Sequence, residues 1–235
     1  PFPKHAVRKV WKWRMPIAIG VIGLLLGLIW RLWYGPLDRN PVGYKFEGEM
    51  LYITNKDNQV VEKLKVGKRT VNDASWTGFF ENKSRRLVSF SDIDKDGVIE
   101  IFWVQFIRDS AEDFMTVNCK SIGEKKFRWT VPLQRGLNFP HSTDVNSKNF
   151  VATQIITDDL DGDGNLEVIV NAWNYPFFPG LVLRLDAASG KELGHYINIG
   201  TFSDMKTVDL DGDGVKEILL CGGNNAFLNA CVTIL

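Results

Sequence analysis

The chain has 235 residues, with 28 basic and 28 acidic side chains and a formal net charge of zero, so there is no electrostatic case for a nucleic-acid partner. Three cysteines, Cys119, Cys221 and Cys231, are too few for a disulfide framework; buried strand thiols are expected, with a Cys221–Cys231 pair as the alternative. Three scattered histidines, no Gly-x-Ser-x-Gly and no phosphate loop supply no catalytic constellation, and the chain is not expected to be an enzyme.

The chain opens with a basic stretch, residues 1–14, carrying Lys4, Arg8, Lys9, Lys12 and Arg14. An apolar run follows from Met15 to Trp30 and continues past Arg31 through Leu32, Trp33 and Tyr34. A bilayer span takes about 20 residues, and Arg31 can snorkel to the interface, so residues 15–34 are expected to form a transmembrane helix. Trp11 and Trp13 on one side, and Trp30, Trp33 and Tyr34 on the other, are placed as interfacial belts. Pro16 suits the first turn of this helix and Gly35-Pro36 its exit. A cleaved signal peptide is disfavoured, because bulky Trp33 and Tyr34 stand where small residues precede a cleavage site. The positive flank places residues 1–14 in the cytoplasm and everything beyond about residue 35 outside it. Gly23 and Gly27 form a helix-packing pair, which in one lone helix is as readily lipid-facing.

After a linker over 35–44, residues 45–235 repeat one pattern. Three loops read Asp92-Ile-Asp94-Lys-Asp96-Gly-Val98-Ile-Glu100, Asp159-Leu-Asp161-Gly-Asp163-Gly-Asn165-Leu-Glu167 and Asp209-Leu-Asp211-Gly-Asp213-Gly-Val215-Lys-Glu217. Each puts carboxylates at positions 1, 3, 5 and 9 with Gly at position 6. Carboxylates in that density repel one another unless a cation joins them, and hard oxygen donors around a tight glycine turn suit Ca²⁺. By calcium-loop geometry, Asp92, Asp94, Asp96 and Glu100 supply side chains and Val98 its carbonyl. The same roles fall on Asp159, Asp161, Asp163, Glu167 and the Asn165 carbonyl, then on Asp209, Asp211, Asp213, Glu217 and the Val215 carbonyl.

An EF-hand would need Glu at position 12 and flanking helices, whereas here Glu arrives at position 9 between β-rich runs. Strand–loop–strand is expected each time. A second hairpin follows the loops, as in Gly180-Leu-Val-Leu-Arg-Leu-Asp186 to Leu193 and Phe114 to Trp129; Met50 to Leu64 reads as a further copy. The loops start at 92, 159 and 209, so four strands recur every 50 to 67 residues. Units of that kind are the blades of a β-propeller, with Trp76, Trp103, Trp129 and Trp173 expected to pack between blades.

This pattern resembles the calcium hairpins of FG-GAP (VCBS, integrin α-chain-like) repeats. The expected fold is therefore all-β: a partial propeller of FG-GAP-like four-stranded blades preceded by one transmembrane helix. Cys231 to Leu235 aligns with Leu181 to Leu185, and the first residue is Pro1. Both ends thus read as cuts in a longer protein, with an open arc completed by a partner as the alternative. The resemblance implies a membrane-anchored, calcium-binding extracytoplasmic domain for ligand recognition, adhesion or sensing, with a protein or glycan ligand. The alternatives are a fragment of a carbohydrate-active enzyme such as a polysaccharide lyase, or the sensor of a one-pass transducer whose cytoplasmic domain precedes Pro1. The aromatic stretch Asn171 to Gly180, with Trp173, Tyr175, Phe177 and Phe178, is the expected binding surface if there is one.

Overall fold

The computed structural model describes residues 4–33, 38–67, 85–108, 113–134, 150–174 and 179–235, and in the N-terminal helix the side chains of 16–30. The chain divides into two units, Pro1–Arg39 and Asn40–Leu235.

The first unit holds α1 (Lys4–Trp33). Pro16 lies inside this helix rather than in its first turn, because the helix continues back through the basic segment to Lys4. That segment contains Ala, Lys and Arg and no breaker, so nothing local stops the helix before Pro16. All side chains of 16–30 are exposed. Among the described residues, no helix is long and apolar enough to cross a membrane. Tyr34 and the expected helix exit at Gly35-Pro36 lie outside the described residues.

Among the described residues, the second unit is built of four antiparallel sheets. Sheet 1 is β1 (Gly43–Glu47), β2 (Met50–Thr54) and β3 (Val60–Lys65). Sheet 2 comprises β4 (Val88–Ser91), β5 (Glu100–Arg108), β6 (Asp113–Ser121) and β7 (Trp129–Pro132). In sheet 3, β8 (Phe150–Asp158), β9 (Glu167–Asn174), β10 (Gly180–Asp186) and β11 (Glu192–Asn198) follow in order. Sheet 4 is β12 (Gly200–Val208), β13 (Glu217–Asn224) and β14 (Asn229–Ile234). Every described strand pairs with its chain neighbour, so each sheet is a meander, and among the described residues the four do not close into a barrel. Two sheets are thus four-stranded and two are three-stranded.

The second strands of sheets 2 and 3 explain the stacking. Ile101, Phe102, Trp103 and Val104 of β5 are all buried, and so are Val168, Ile169 and Val170 of β9. A strand apolar on both sides needs cover on both faces, which neighbouring sheets provide. One apolar cluster runs from Phe46 and Leu51 of sheet 1 to Leu181 and Leu185 of sheet 3. A smaller one joins Ile169 and Val182 of sheet 3 to Phe202, Met205 and Leu220 of sheet 4.

Polar bonds fix neighbouring sheets in register. Lys120 of β6 pairs with Glu62 of β3 at 3.2 Å with both side chains largely buried. Thr157 of β8 donates to Ser89 of β4 at 2.9 Å, and Thr207 of β12 donates to Asp158 of β8 at 2.5 Å. Trp129, 8% exposed, donates its indole N–H to the Ala187 carbonyl at 2.9 Å and lies over Gly190, joining sheet 2 to the β10–β11 turn. Trp129 therefore packs between sheets as expected; Trp103 is fully buried against Phe127, and Trp173 is half-buried on the core. Trp76 lies outside the described residues. Cys119 is buried and free, while Cys221 and Cys231 sit on adjacent strands β13 and β14. Cys221 faces Val232 across the ladder and Gly222 faces Cys231, so the two thiols point to opposite faces and cannot pair.

Candidate metal centres

The three acidic loops connect the first and second strands of sheets 2, 3 and 4 and lie at equivalent ends of those sheets. In each, the last residue before the loop pairs with the position-9 glutamate: Ser91 with Glu100, Asp158 with Glu167, Val208 with Glu217. The predicted strand–loop–strand framing is thus present three times.

Inside the loops, backbone N–H groups draw the carboxylates inward. Asp92, Asp159 and Asp209 each accept the N–H of the position-6 glycine, at 3.0, 3.0 and 3.1 Å. Asp96, Asp163 and Asp213 accept the position-7 N–H at 2.7, 2.7 and 2.8 Å. Glu100, Glu167 and Glu217 reach back to the N–H of position 2, at 3.1, 2.9 and 2.9 Å. These bonds demand a left-handed backbone at position 6, where Gly97, Gly164 and Gly214 have φ of 84°, 85° and 90°. Position 4 is left-handed as well; Gly162 and Gly212 adopt it freely, and Lys95 adopts it at φ 59°.

The carboxylates converge as far as one ion requires. Oxygens of Asp92, Asp94 and Asp96 lie within 4.8 Å of one another, as do those of Asp159, Asp161 and Glu167, and those of Asp209, Asp211 and Asp213. Two oxygens on opposite sides of one calcium ion, bonded at about 2.3–2.6 Å, are separated by about 4.6–5.2 Å. The donor set is oxygen only, which fits a hard divalent cation. The fully buried Glu100 also carries an Oε1 with no hydrogen-bond donor. A buried, unsatisfied carboxylate oxygen needs a compensating charge.

Part of that charge comes from residues the sequence reading missed. The Arg184 guanidinium of β10 donates to Asp161 Oδ2 at 2.6 Å and Glu167 Oε1 at 2.7 Å. Arg128, just before β7, donates to Asp94 Oδ2 at 2.6 Å and stands 3.1 Å from Glu100 Oε1, an ion pair without the angles of a hydrogen bond. Two arginines, one just before β7 and one within β10, thus contact the same two atoms of the motif, one oxygen at position 3 and one at position 9. The Arg128 contact holds the Asp94 carboxyl below the usual range. For Arg184, burial acts downward, but the bonds to Glu167 and Asp161 outweigh it and raise the guanidinium further. A cleft of about 440 Å³ lined by Asp161, Arg184, Gly194, His195, Tyr196 and Lys216 opens onto this bridge.

The third loop is different. Among the described residues, no arginine or lysine forms an ion pair with Asp209, Asp211, Asp213 or Glu217; the nearby Lys216 bonds Asp158 at 2.6 Å. Arg184 stands across from Ile169, two residues beyond Glu167, and the matching partner of Leu219 beyond Glu217 is Ile234. An aliphatic side chain therefore occupies the position from which Arg184 reaches the second loop.

The other candidates are less developed. Trp173 packs partly into the core, while Tyr175, Phe177 and Phe178 lie outside the described residues, as does His141. His195 is exposed and pairs with Glu192 at 2.7 Å. No family model, no curated protein and no solved structure matches this chain.

Proposed function

We propose that this chain is a membrane-anchored, calcium-binding extracytoplasmic domain of β-propeller type that works by recognising a protein or glycan rather than by chemistry. The carrying observation is the threefold one: hairpins in three successive sheets each gather carboxylate oxygens within 4.8 Å. Asp92, Asp94, Asp96 and the Val98 carbonyl would hold the first ion. The second falls to Asp159, Asp161, Asp163 and the Asn165 carbonyl, and the third to Asp209, Asp211, Asp213 and the Val215 carbonyl. Glu100, Glu167 and Glu217 close the loops. Each ion would offset two of its ring's four negative charges and lock the first hairpin of a sheet, stiffening the scaffold that presents the connecting loops.

The blade reading rests on two four-stranded meanders stacked beside two three-stranded ones, with contacts running from β4 to β8 and from β8 to β12. Radial stacking by first strands is what a propeller requires. The anchor reading rests on the helix Lys4–Trp33, which carries the apolar run from Met15, and on its basic N-terminal flank.

Both parts have direct tests. In detergent, millimolar Ca²⁺ should raise the melting temperature of the chelator-treated full chain, because an ion that binds only the native state stabilises it by mass action. An unchanged melting curve sinks the calcium reading. In membranes from expressing cells, alkaline carbonate should leave the chain in the pellet; release into the supernatant would exclude a spanning helix.

A further inference from the structure

We infer that Arg128 and Arg184 are built-in competitors for the cation at the first and second loops, so that the third loop binds calcium most tightly and the other two fill only as their arginines yield. This inference rests on the calcium reading above and adds an order of filling and its cause.

Each arginine bonds the position-3 aspartate through Oδ2, at 2.6 Å in both loops, and reaches the position-9 glutamate through Oε1. Position 1 is held by the glycine N–H and position 5 by the position-7 N–H, while at position 3 the guanidinium takes Oδ2. The guanidinium therefore occupies an oxygen of the converging set that an incoming ion would use. Like charges repel, so a dication entering the ring must displace the guanidinium from Asp94 or Asp161 or bind through the remaining oxygen alone. Both routes weaken binding. Each arginine also neutralises one of four carboxylates, leaving a formal charge of −3 in place of −4, and ligand charge is a main determinant of affinity in such loops.

Two features make this more than an incidental pair of surface contacts. The arginines come from unrelated places, one before β7 and one within β10, yet converge on equivalent atoms. Their side chains are also partly buried, 28% and 33% exposed, against glutamates 0% and 5% exposed, so solvent screens these pairs less than it would a surface bridge. At the third loop, among the described residues, Asp211 meets a backbone N–H, that of Asp213 at 3.2 Å, and no guanidinium, and Ile234 stands where the guanidinium would originate.

The test is calcium titration calorimetry on the full chain in detergent, run on wild type, Arg128→Gln, Arg184→Gln and Ile234→Arg, with the calcium-free melting temperature of each measured in parallel. Wild type should show one tight site and two weaker ones. Each glutamine variant should move one weak site tighter by about tenfold or more, equivalent to about 1.4 kcal/mol. Ile234 is exposed, so Ile234→Arg should leave the fold intact and weaken the tight site. Three indistinguishable sites unmoved by any variant would overturn the inference while leaving the calcium reading standing. So would glutamine variants that melt normally without calcium but bind it less well, since the arginines would then support the ligands. Heat changes absent in wild type would sink both.

Discussion

Replacing Trp129 by alanine should be among the most damaging single changes in the sheet domain. The indole is 8% exposed, packs beside Phe102 at a ring separation of 5.8 Å, and lies over Gly190 in the next sheet. Large-to-small truncation of such a ring costs about 3–5 kcal/mol. The Ala187 carbonyl, on a residue 1% exposed, also loses its donor, which Trp129→Phe isolates at about 1–3 kcal/mol. For a domain of this size each kcal/mol moves the midpoint by about 2–4 °C, so Trp129→Ala should lower it by about 6–20 °C. Gly190 supplies an internal control. A Cβ there would lie 2.6 Å from the ring at a φ of 71°, so Gly190→Ala should destabilise by itself through clash and backbone strain. In the Trp129→Ala background the clash is gone, and the second substitution should cost less than it does alone. Urea unfolding of the four proteins without calcium gives the cycle. A loss below about 1 kcal/mol for Trp129→Ala, or strict additivity with Gly190→Ala, would refute the sheet-to-sheet lock.

Further outcomes follow from the same geometry. Asp204 is held below the usual carboxylate range first by the Gln154 amide; at Asp158 burial acts upward, but bonds from Lys216 and Thr207 outweigh it. Lowered native values mean stability that is present above the ordinary carboxylate pKa of about 3.9 and lost as pH falls through the native values, so the urea midpoint should drop on acidification below about pH 4. A midpoint flat to pH 3 would contradict this. Burial, reinforced by the Glu100 carboxylate, pushes the Cys119 thiol up to about 12, so a disulfide reagent should label exposed Cys221 quickly and Cys119 only on unfolding. Early modification of Cys119 would show that the core around it opens. Trp173 packs partly into the core, so Trp173→Ala should lower the melting temperature; an unchanged melt combined with loss of ligand capture would return it to the binding surface.

Local pattern carries the hairpins, and tertiary register carries what the pattern misses. Asp at alternate positions, Gly where φ must be positive and a closing Glu are all local requirements, so the three loops and their flanking strands can be read from single segments. Arg184 stands out only as the one basic residue in a mostly apolar strand, and placing it beside Glu167 requires knowing that it pairs with Ile169. Arg128 carries still less signal, since it reaches Asp94 from 34 positions away. The repulsion among four carboxylates, which in sequence demands an ion, is met in part by these guanidinia. Register likewise separates Cys221 from Cys231, because one step along a ladder reverses the face. The helix begins well before the apolar run, because apolar content marks a span whereas helix propensity carries the backbone on to Lys4.

Counting the calcium ions bound per chain tests the central claim most directly. Equilibrium dialysis of the full chain in detergent against millimolar Ca²⁺ should reach three ions per chain, one for each acidic loop. Asp94→Asn, Asp161→Asn and Asp211→Asn should each remove one, and the triple variant should bind none. Wild type that binds no calcium at millimolar concentration, or a triple variant that still binds three ions, would contradict the account.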